Sequence, residues 1–161
     1  MEARNVAIRK AEESDMKAIN SFIQKLALSS TGEAHLTEDA LKTDGFGEKS
    51  WFECMIAERK NEIIGFTLYY RSYSLFHGKY ITVQGLYVDE RSGNSDIGRA
   101  LFAKVVENAL AFGCLRLEWV ATNINANMEQ FVKSIDGNIC EKWRVCELNK
   151  DAMERLASAK M

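Results

Sequence analysis

Gln84-Gly85-Leu86-Tyr87-Val88 followed by Asp89-Glu90-Arg91-Ser92-Gly93-Asn94-Ser95-Asp96-Ile97-Gly98-Arg99-Ala100-Leu101 reads as a β-strand, a glycine-containing loop and the start of an apolar-periodic helix. That order aims backbone N–H groups and a helix N-terminus at an anion, the layout of a phosphate or pyrophosphate cradle. The same strand-loop-helix order also describes an ordinary connection in an α/β protein, so the rest of the chain must decide between the two.

The chain has 161 residues, 47% hydrophobic and 27% charged, which suits one globular domain spanning residues 1–161. Its net charge is −2, with both signs interspersed, which argues against a nucleic-acid groove or a basic membrane face. Met1-Glu2-Ala3-Arg4-Asn5 is not a basic region leading into an apolar run, and no window approaches the roughly 18 uninterrupted apolar residues of a membrane span. The expectation is a soluble intracellular protein, cytoplasmic with the nucleus not excluded.

Cys54, Cys114, Cys140 and Cys146 form no Cys-x-x-Cys, and each lies in an apolar segment, so all four are expected as core thiols rather than disulfides or metal ligands. His35 and His77, the only histidines, lie in loop-like segments without ligand spacing, and no metal is expected. Proline is absent. Boundaries therefore rest on glycine, Asx and Ser/Thr signals.

Val6 and Ile8 alternate with polar neighbours in a short strand from Asn5 to Lys10. Ser14 or Asp15 is expected to cap a helix carrying Met16, Ile19, Phe22, Ile23 and Leu26 at helical spacing. Thr37 would cap a second helix running through Lys42 and ended by Asp44-Gly45-Phe46-Gly47. Trp51–Glu58 and Glu62–Tyr70 read as a hairpin across Arg59-Lys60-Asn61, with Lys79–Val88 as the next antiparallel strand. Ile97, Leu101, Val105 and Ala109 mark one face of a helix that Gly113 ends. A strand from Leu115 to Ala121, a helix from Ala126 to Ser134, a strand from Ile139 to Leu148 and a helix from Asp151 to Lys160 capped by Asn149 complete the order. The aromatics Trp51, Phe52, Phe66, Tyr69 and Tyr70 are expected to fill core and sheet faces, while Glu118 and Trp119 are ambiguous as to face.

This order resembles the GCN5-related N-acetyltransferase (GNAT) family, and within it the small diamine (spermidine/spermine) and thialysine acetyltransferases. The resemblance covers nearly the whole chain. It is carried by Ile8-Arg9-Lys10-Ala11 with Asp15, Leu26-Ala27, Leu36-Thr37-Glu38, Asp44-Gly45-Phe46-Gly47-Glu48 and Ile56-Ala57-Glu58. It continues through Ile64-Gly65-Phe66 with Tyr69-Tyr70, Gly78-Lys79, and Ile97-Gly98 at the central helix. It implies a mixed α/β (α+β) acyl-CoA N-acyltransferase fold, a mostly antiparallel central sheet flanked by helices. It also implies acetyl-CoA as co-substrate. Leu86, Tyr87, Val88, Asn94, Ser95, Asp96, Ile97, Gly98 and Arg99 would hold that co-substrate, and Gln84 and Gly85 would face the substrate.

Four departures accompany the resemblance. The family's Arg/Gln-x-x-Gly-x-Gly/Ala loop becomes Gly93-Asn94-Ser95-Asp96-Ile97-Gly98, which keeps only the last glycine. Asp96 then sets a carboxylate against a pyrophosphate and a Cβ where positive φ is wanted, although aspartate tolerates that region and Arg91 or Arg99 would supply a cation. The acidic pair that receives a cationic amine becomes Gln84 and Gly85, which cannot titrate. The acidic residue expected after the first helix falls in Leu28-Ser29-Ser30-Thr31. The general-acid tyrosine of Asn-x5-Phe-Tyr-Lys becomes Val132, counted from Asn125, or Gln130 if counted from Asn123. Tyr87 and Ser134 are the substitute donors, Tyr87 being also readable as a packed strand aromatic, and the catalytic residues stay unassigned.

The expected activity is transfer of an acetyl group from acetyl-CoA to a small amine. The competing expectation is a non-catalytic descendant acting as a dimeric binding or scaffold module with a protein partner. Under both, the resemblance implies a homodimer paired through C-terminal strands and helices, with Ile139–Leu148 as an edge that a soluble protein rarely leaves open.

Overall fold

The computed structural model describes residues 6–30, 34–92, 95–121, 124–141 and 145–159. These fall into two compact units, residues 1–120 and 121–161. The first holds a five-stranded sheet in the order β1-β2-β3-β4-β5, antiparallel except for the parallel last pair. Its strands are β1 (Ala7–Lys10), β2 (Glu53–Arg59), β3 (Glu62–Ser74), β4 (Gly78–Val88) and β5 (Arg116–Trp119), and its helices α1 (Met16–Ser30), α2 (Glu38–Phe46) and α3 (Ser95–Ala111).

Strand alternation sends β2 side chains to two faces. Cys54 and Ile56 join Phe66, Met16, Ile19, Phe22 and Leu41 in a buried cluster under α1 and α2. On the other face Met55 and Tyr69 meet α3, whose Asn108 Nδ2 donates to the Tyr69 hydroxyl at 2.9 Å and approaches the Met55 sulfur at 3.8 Å. Ile97, Leu101, Val105 and Ala109 are all buried, as their helical spacing predicts. Gly65 keeps this layer tight: a Cβ there would lie 2.7 Å from the Tyr87 carbonyl oxygen and 3.4 Å from Leu101 Cδ1.

Local chemistry accounts for most boundaries. The β2–β3 hairpin turns on Lys60 and Asn61, both in the left-handed region (φ 53° and 61°), as a two-residue turn that matches strand twist requires. Thr37 caps α2 through Ala40 N–H at 3.1 Å. That helix runs past Lys42 to Phe46, because Gly45 does not break it. A Cβ at Gly45 would sit 2.7 Å from the Phe52 ring, so the glycine makes room for an aromatic and the helix stops at Gly47. At α1 the expected Ser14 cap is absent. Glu13–Asp15 form a 3-10 turn, and the Asp15 carboxylate accepts the Glu12 N–H at 2.7 Å.

Arg9 ties that turn to the sheet. Its guanidinium donates to both Asp15 oxygens at 2.8 and 3.1 Å, and its Nε and Nη2 donate to one Glu58 oxygen at 3.0 and 2.7 Å. Burial pushes the Asp15 carboxyl up, but the bonds from Arg9 and the Glu12 N–H outweigh it and hold the carboxyl below its ordinary range.

The second unit holds α4 (Ala126–Ser134) and α5 (Lys150–Ser158), capped by Asn125 and Asn149, each accepting an N–H three residues on. The expected strand from Ile139 to Leu148 does not form among the described residues; residues 142–144 lie outside them. A strand exists by pairing, and no other strand is described in this unit, so the alternating pattern remains as exposed coil with Ile139, Val145 and Leu148 open to solvent. The cysteine expectation divides accordingly. Cys54 and Cys114 are buried, whereas Cys140 and Cys146, on that coil, are exposed. Trp51 is also corrected: it precedes β2 in a bend and is 78% exposed. Asn5, Asn123 and Lys160 lie outside the described residues.

Candidate functional site

β5 pairs with β4 only from Tyr80–Arg116 to Val83–Trp119, after which β4 runs on along β3 alone. A bulge begins that stretch. Leu68 pairs with Gly85 and Tyr69 with Val83, so Gln84 is the extra residue. Beyond it the ladder direction is set by the Asp89 N–H, which donates to the Ile64 carbonyl at 2.8 Å. By alternation Tyr87 also turns its main chain to β3, and Leu86 and Val88 turn theirs to the opposite edge, where the β5 ladder has ended. Among the described residues no strand pairs with these two N–H and two C=O groups, which therefore face a gap in the sheet. This is a seat for an extended ligand with amide groups of its own.

At the C-terminal end of β4 the chain makes a 3-10 turn, Glu90–Ser92, and enters α3 at Ser95. Asp89 governs that turn. Its carboxylate accepts the Arg91 backbone N–H at 3.0 Å and the Arg91 side chain at 3.1 Å (Nε) and 2.6 Å (Nη2), while its carbonyl accepts Ser92 N–H and hydroxyl. The Arg91 bonds hold the Asp89 carboxyl down at about 2. Sequence reading passed over Asp89. An aspartate two residues before an arginine at a strand end is the usable signal, because a carboxylate there bonds the backbone two residues on.

Of the expected cofactor residues, Ile97 is buried, Gly98 packs toward Leu86 and Val88, and Asp96 and Arg99 are exposed on the first turn of α3. A Cβ at Gly98 would make ordinary contacts of 3.7 and 3.8 Å, so the position tolerates alanine. Asp96 is helical and is not among the positive-φ residues, which removes the expected backbone penalty while its charge remains. Asn94 and Gly93 lie outside the described residues. Arg91, one of the two candidate cations, is already engaged by Asp89.

The substrate positions are open. Gln84 is exposed at the bulge, and a Cβ at Gly85 would meet nothing within 4 Å, so no crowding forbids a side chain there. The Tyr87 ring packs at a tilt on Phe22 at 4.8 Å and lies 6.2 Å from Phe66, against the core cluster. Burial, then the Asp89 charge, push its phenol up, which makes it a weaker acid. Ser134 gives its hydroxyl to the Phe131 carbonyl of its own helix at 2.7 Å. Asn125 is the α4 cap, and Val132, seven residues on, is 3% exposed. Trp119 packs edge-on against Phe102 at 5.3 Å, and Glu118 pairs with Arg116 at 2.8 Å, so the pair divides between the two faces.

Among the described residues no cluster of His, Cys, Asp or Glu is arranged to hold a metal ion, and no helix is long and apolar enough to cross a membrane.

Comparison with known proteins agrees with this geometry. Residues 20–134 match the family model described as Acetyltransferase (GNAT) family. The chain is 31% identical to the thialysine N-epsilon-acetyltransferase of Bos taurus, over 94% of this chain and 97% of that protein. Among solved structures it is similar to an integron cassette protein from the mobile metagenome of V. cholerae, with TM-score 0.77 and 19% identity over 98% and 100% of the two chains. It is also similar to an aminoglycoside N-acetyltransferase, AAC(6')-Iy, solved in complex with CoA, with TM-score 0.69 and 16% identity over 90% and 94%.

Proposed function

This chain belongs to the acetyltransferase (GNAT) family, and from that premise we propose that it transfers an acetyl group from acetyl-CoA to a small amine. The observation that carries the reading is the open edge of β4. Leu86 and Val88 present amides where the β5 ladder stops, beside the α3 N-terminus, so the residues present fit an extended acyl carrier with a phosphorylated end. Bound there, acetyl-CoA supplies an activated thioester. The edge N–H groups polarise its carbonyl without reorganising, because β3 holds the strand. Gln84 and Gly85 offer no carboxylate to a cation, so the amine most readily accepted is one that arrives with little charge to neutralise. At the position of the family's general-acid tyrosine stands Val132, which has no proton to donate, so that role is not filled by this position.

Calorimetry with acetyl-CoA followed by an amine panel tests the reading. Micromolar binding and turnover of small amines support it. Spermidine and spermine should be the poor members of the panel, because no acidic pair offsets desolvation of an ammonium; their efficient turnover at neutral pH would contradict the role given to Gln84 and Gly85.

Asp96→Asn should tighten acetyl-CoA binding about three- to tenfold, the effect of removing a like charge of roughly 1 kcal/mol in a partly solvated loop. An unchanged dissociation constant would show that α3 does not point at the phosphates.

A specific set of substitutions favours a second reading, a non-catalytic binding or scaffold module with a protein partner: Asp96, Gln84, Gly85 and Val132 depart together. Binding of acetyl-CoA without turnover is its signature.

Under either reading we propose a homodimer in a reducing compartment such as the cytoplasm. Exposed Ile139, Val145, Leu148, Met153 and Leu156, and an α5 with no buried residue, support a second copy as cover. Four free cysteines support the compartment. Sedimentation should give about twice the 18.2 kDa chain mass, and a purely monomeric species at micromolar concentration would refute the dimer.

A further inference from the structure

The bulge in β4 leaves Gly85 weakly held. It has no side chain of its own, and a Cβ there would meet nothing within 4 Å, so side-chain packing does not fix the peptide that joins it to Leu86. That peptide carries the N–H that Leu86 presents to the open edge. We propose that Thr67 of β3 is a positioning residue for acetyl transfer: through the Gly85 carbonyl it aims the Leu86 N–H at the thioester carbonyl. The inference rests on the acetyl-CoA reading above.

Three observations carry it. The Thr67 hydroxyl donates to the Gly85 carbonyl at 3.0 Å. The Gly85–Leu86 peptide is trans, so its C=O and N–H point opposite ways, and a carbonyl drawn toward β3 turns the Leu86 N–H away from β3. The side it turns to is the gap beyond Val83–Trp119, where the β5 ladder has stopped. Thr67 itself pairs with Leu86 across the ladder, so its hydroxyl reaches one residue back along β4, to the carbonyl beside the bulge.

The anchor is itself fixed. Thr67 is fully buried and pairs on its other side with Met55 of β2. A branched side chain in a strand has few rotamers, and this one is enclosed, so the hydroxyl has little freedom to leave its bond. A hydrogen bond accepted by an amide carbonyl also polarises the amide, which makes its N–H the stronger donor. Both effects fall on a group that must stand in place before charge develops on the acyl oxygen, where a fixed donor acts most strongly.

The test separates the hydroxyl from the packing. Thr67→Val fills the site without a donor, and Thr67→Ser keeps the donor without the methyl. Thr67→Val should lower kcat about tenfold, with the KM for acetyl-CoA and the Kd for CoA within about twofold, because the Leu86 donor is loosened rather than removed. Thr67→Ser should keep most of kcat even where its thermal midpoint falls. A second readout needs no turnover. In NMR spectra of the isotope-labelled full chain, the Leu86 amide proton should move further downfield with acetyl-CoA than with CoA, which lacks the acetyl carbonyl. That difference should shrink by at least half in Thr67→Val. If the valine variant does not fold, Thr67→Ala carries the same expectations. Full kcat in Thr67→Val, a Leu86 difference that survives the substitution, a serine variant as impaired as the valine one, or an equal loss of CoA affinity overturns the inference while leaving the acetyl-CoA reading intact. So does the lack of any Leu86 difference in an unaltered protein that turns over. If the unaltered protein binds acetyl-CoA without turnover, the Leu86 readout decides. Failure of the unaltered protein to bind acetyl-CoA overturns both.

Discussion

Val132→Tyr is expected to raise acetyl-transfer turnover by about 10²-fold or more, with little change in acetyl-CoA affinity. A positioned general acid contributes about 10²–10⁴ in rate, and Val132, at the position where the family pattern has a tyrosine, has no proton to give. The phenol would act mainly as the bond to sulfur breaks, so the gain belongs in kcat rather than in ground-state binding. The structure adds a cost. Val132 is 3% exposed, and a larger side chain in a packed position destabilises by about 1–3 kcal/mol, so the thermal midpoint should fall by several degrees. Stopped-flow or thiol-release kinetics beside a melting curve separate the two effects. A folded variant that binds acetyl-CoA and still turns over no amine would make the non-catalytic reading the one to keep, because the missing acid would then not be what limits the chain.

The central helix and the antiparallel strands were legible because each writes its partner into its own spacing. Ile97, Leu101, Val105 and Ala109 recur at helical intervals because one stripe of α3 must face a sheet, and all four are buried. The β2–β3 hairpin is legible from Asn61, a residue that tolerates left-handed backbone. What stayed hidden depends on three dimensions. Gly45 looks like a helix terminator, yet its purpose is set by Phe52, a contact that local spacing does not state. Ile139 to Leu148 alternates like a strand, but alternation records a taste for a half-buried surface and says nothing of which neighbour provides it.

The candidate site divides along the same line. Leu86 and Val88 could be singled out by their place on the strand before the loop. That they, rather than Tyr87, turn their amides to the gap follows from the register set by Asp89 and Ile64 and from the early end of the β5 ladder. Asp96 is expected to act through its charge and through backbone strain, and its helical conformation removes the strain while the charge remains. Asp89 and Arg91 went unjoined because a pair two residues apart gains meaning only when a turn folds one onto the other.

Arg9→Ala is expected to destabilise the protein by about 2–4 kcal/mol, a fall in thermal midpoint of roughly 5–15 °C for a chain of this size. Among the described residues Arg9 is the one ion-pair partner of Asp15, whose side chain is 9% exposed, and it also engages Glu58 at 24% exposure. Removing it leaves two carboxylates, one of them buried, without their counter-charge. The pH dependence distinguishes this cause from lost packing. The folded Asp15 carboxyl lies below its unfolded value, so its contribution is fully present above the unfolded pKa of about 4 and is lost as pH falls through the folded one. In the variant only the Glu12 N–H bond still opposes burial, so the carboxyl rises and protonation costs the variant less than it costs the parent. The stability gap, read from denaturant melts, should therefore be widest above pH 5 and shrink toward pH 3. A gap that stays constant across that range would mean that Arg9 serves through its aliphatic stem, and that the Ile8-Arg9-Lys10-Ala11…Asp15 pattern is a packing feature rather than an electrostatic one.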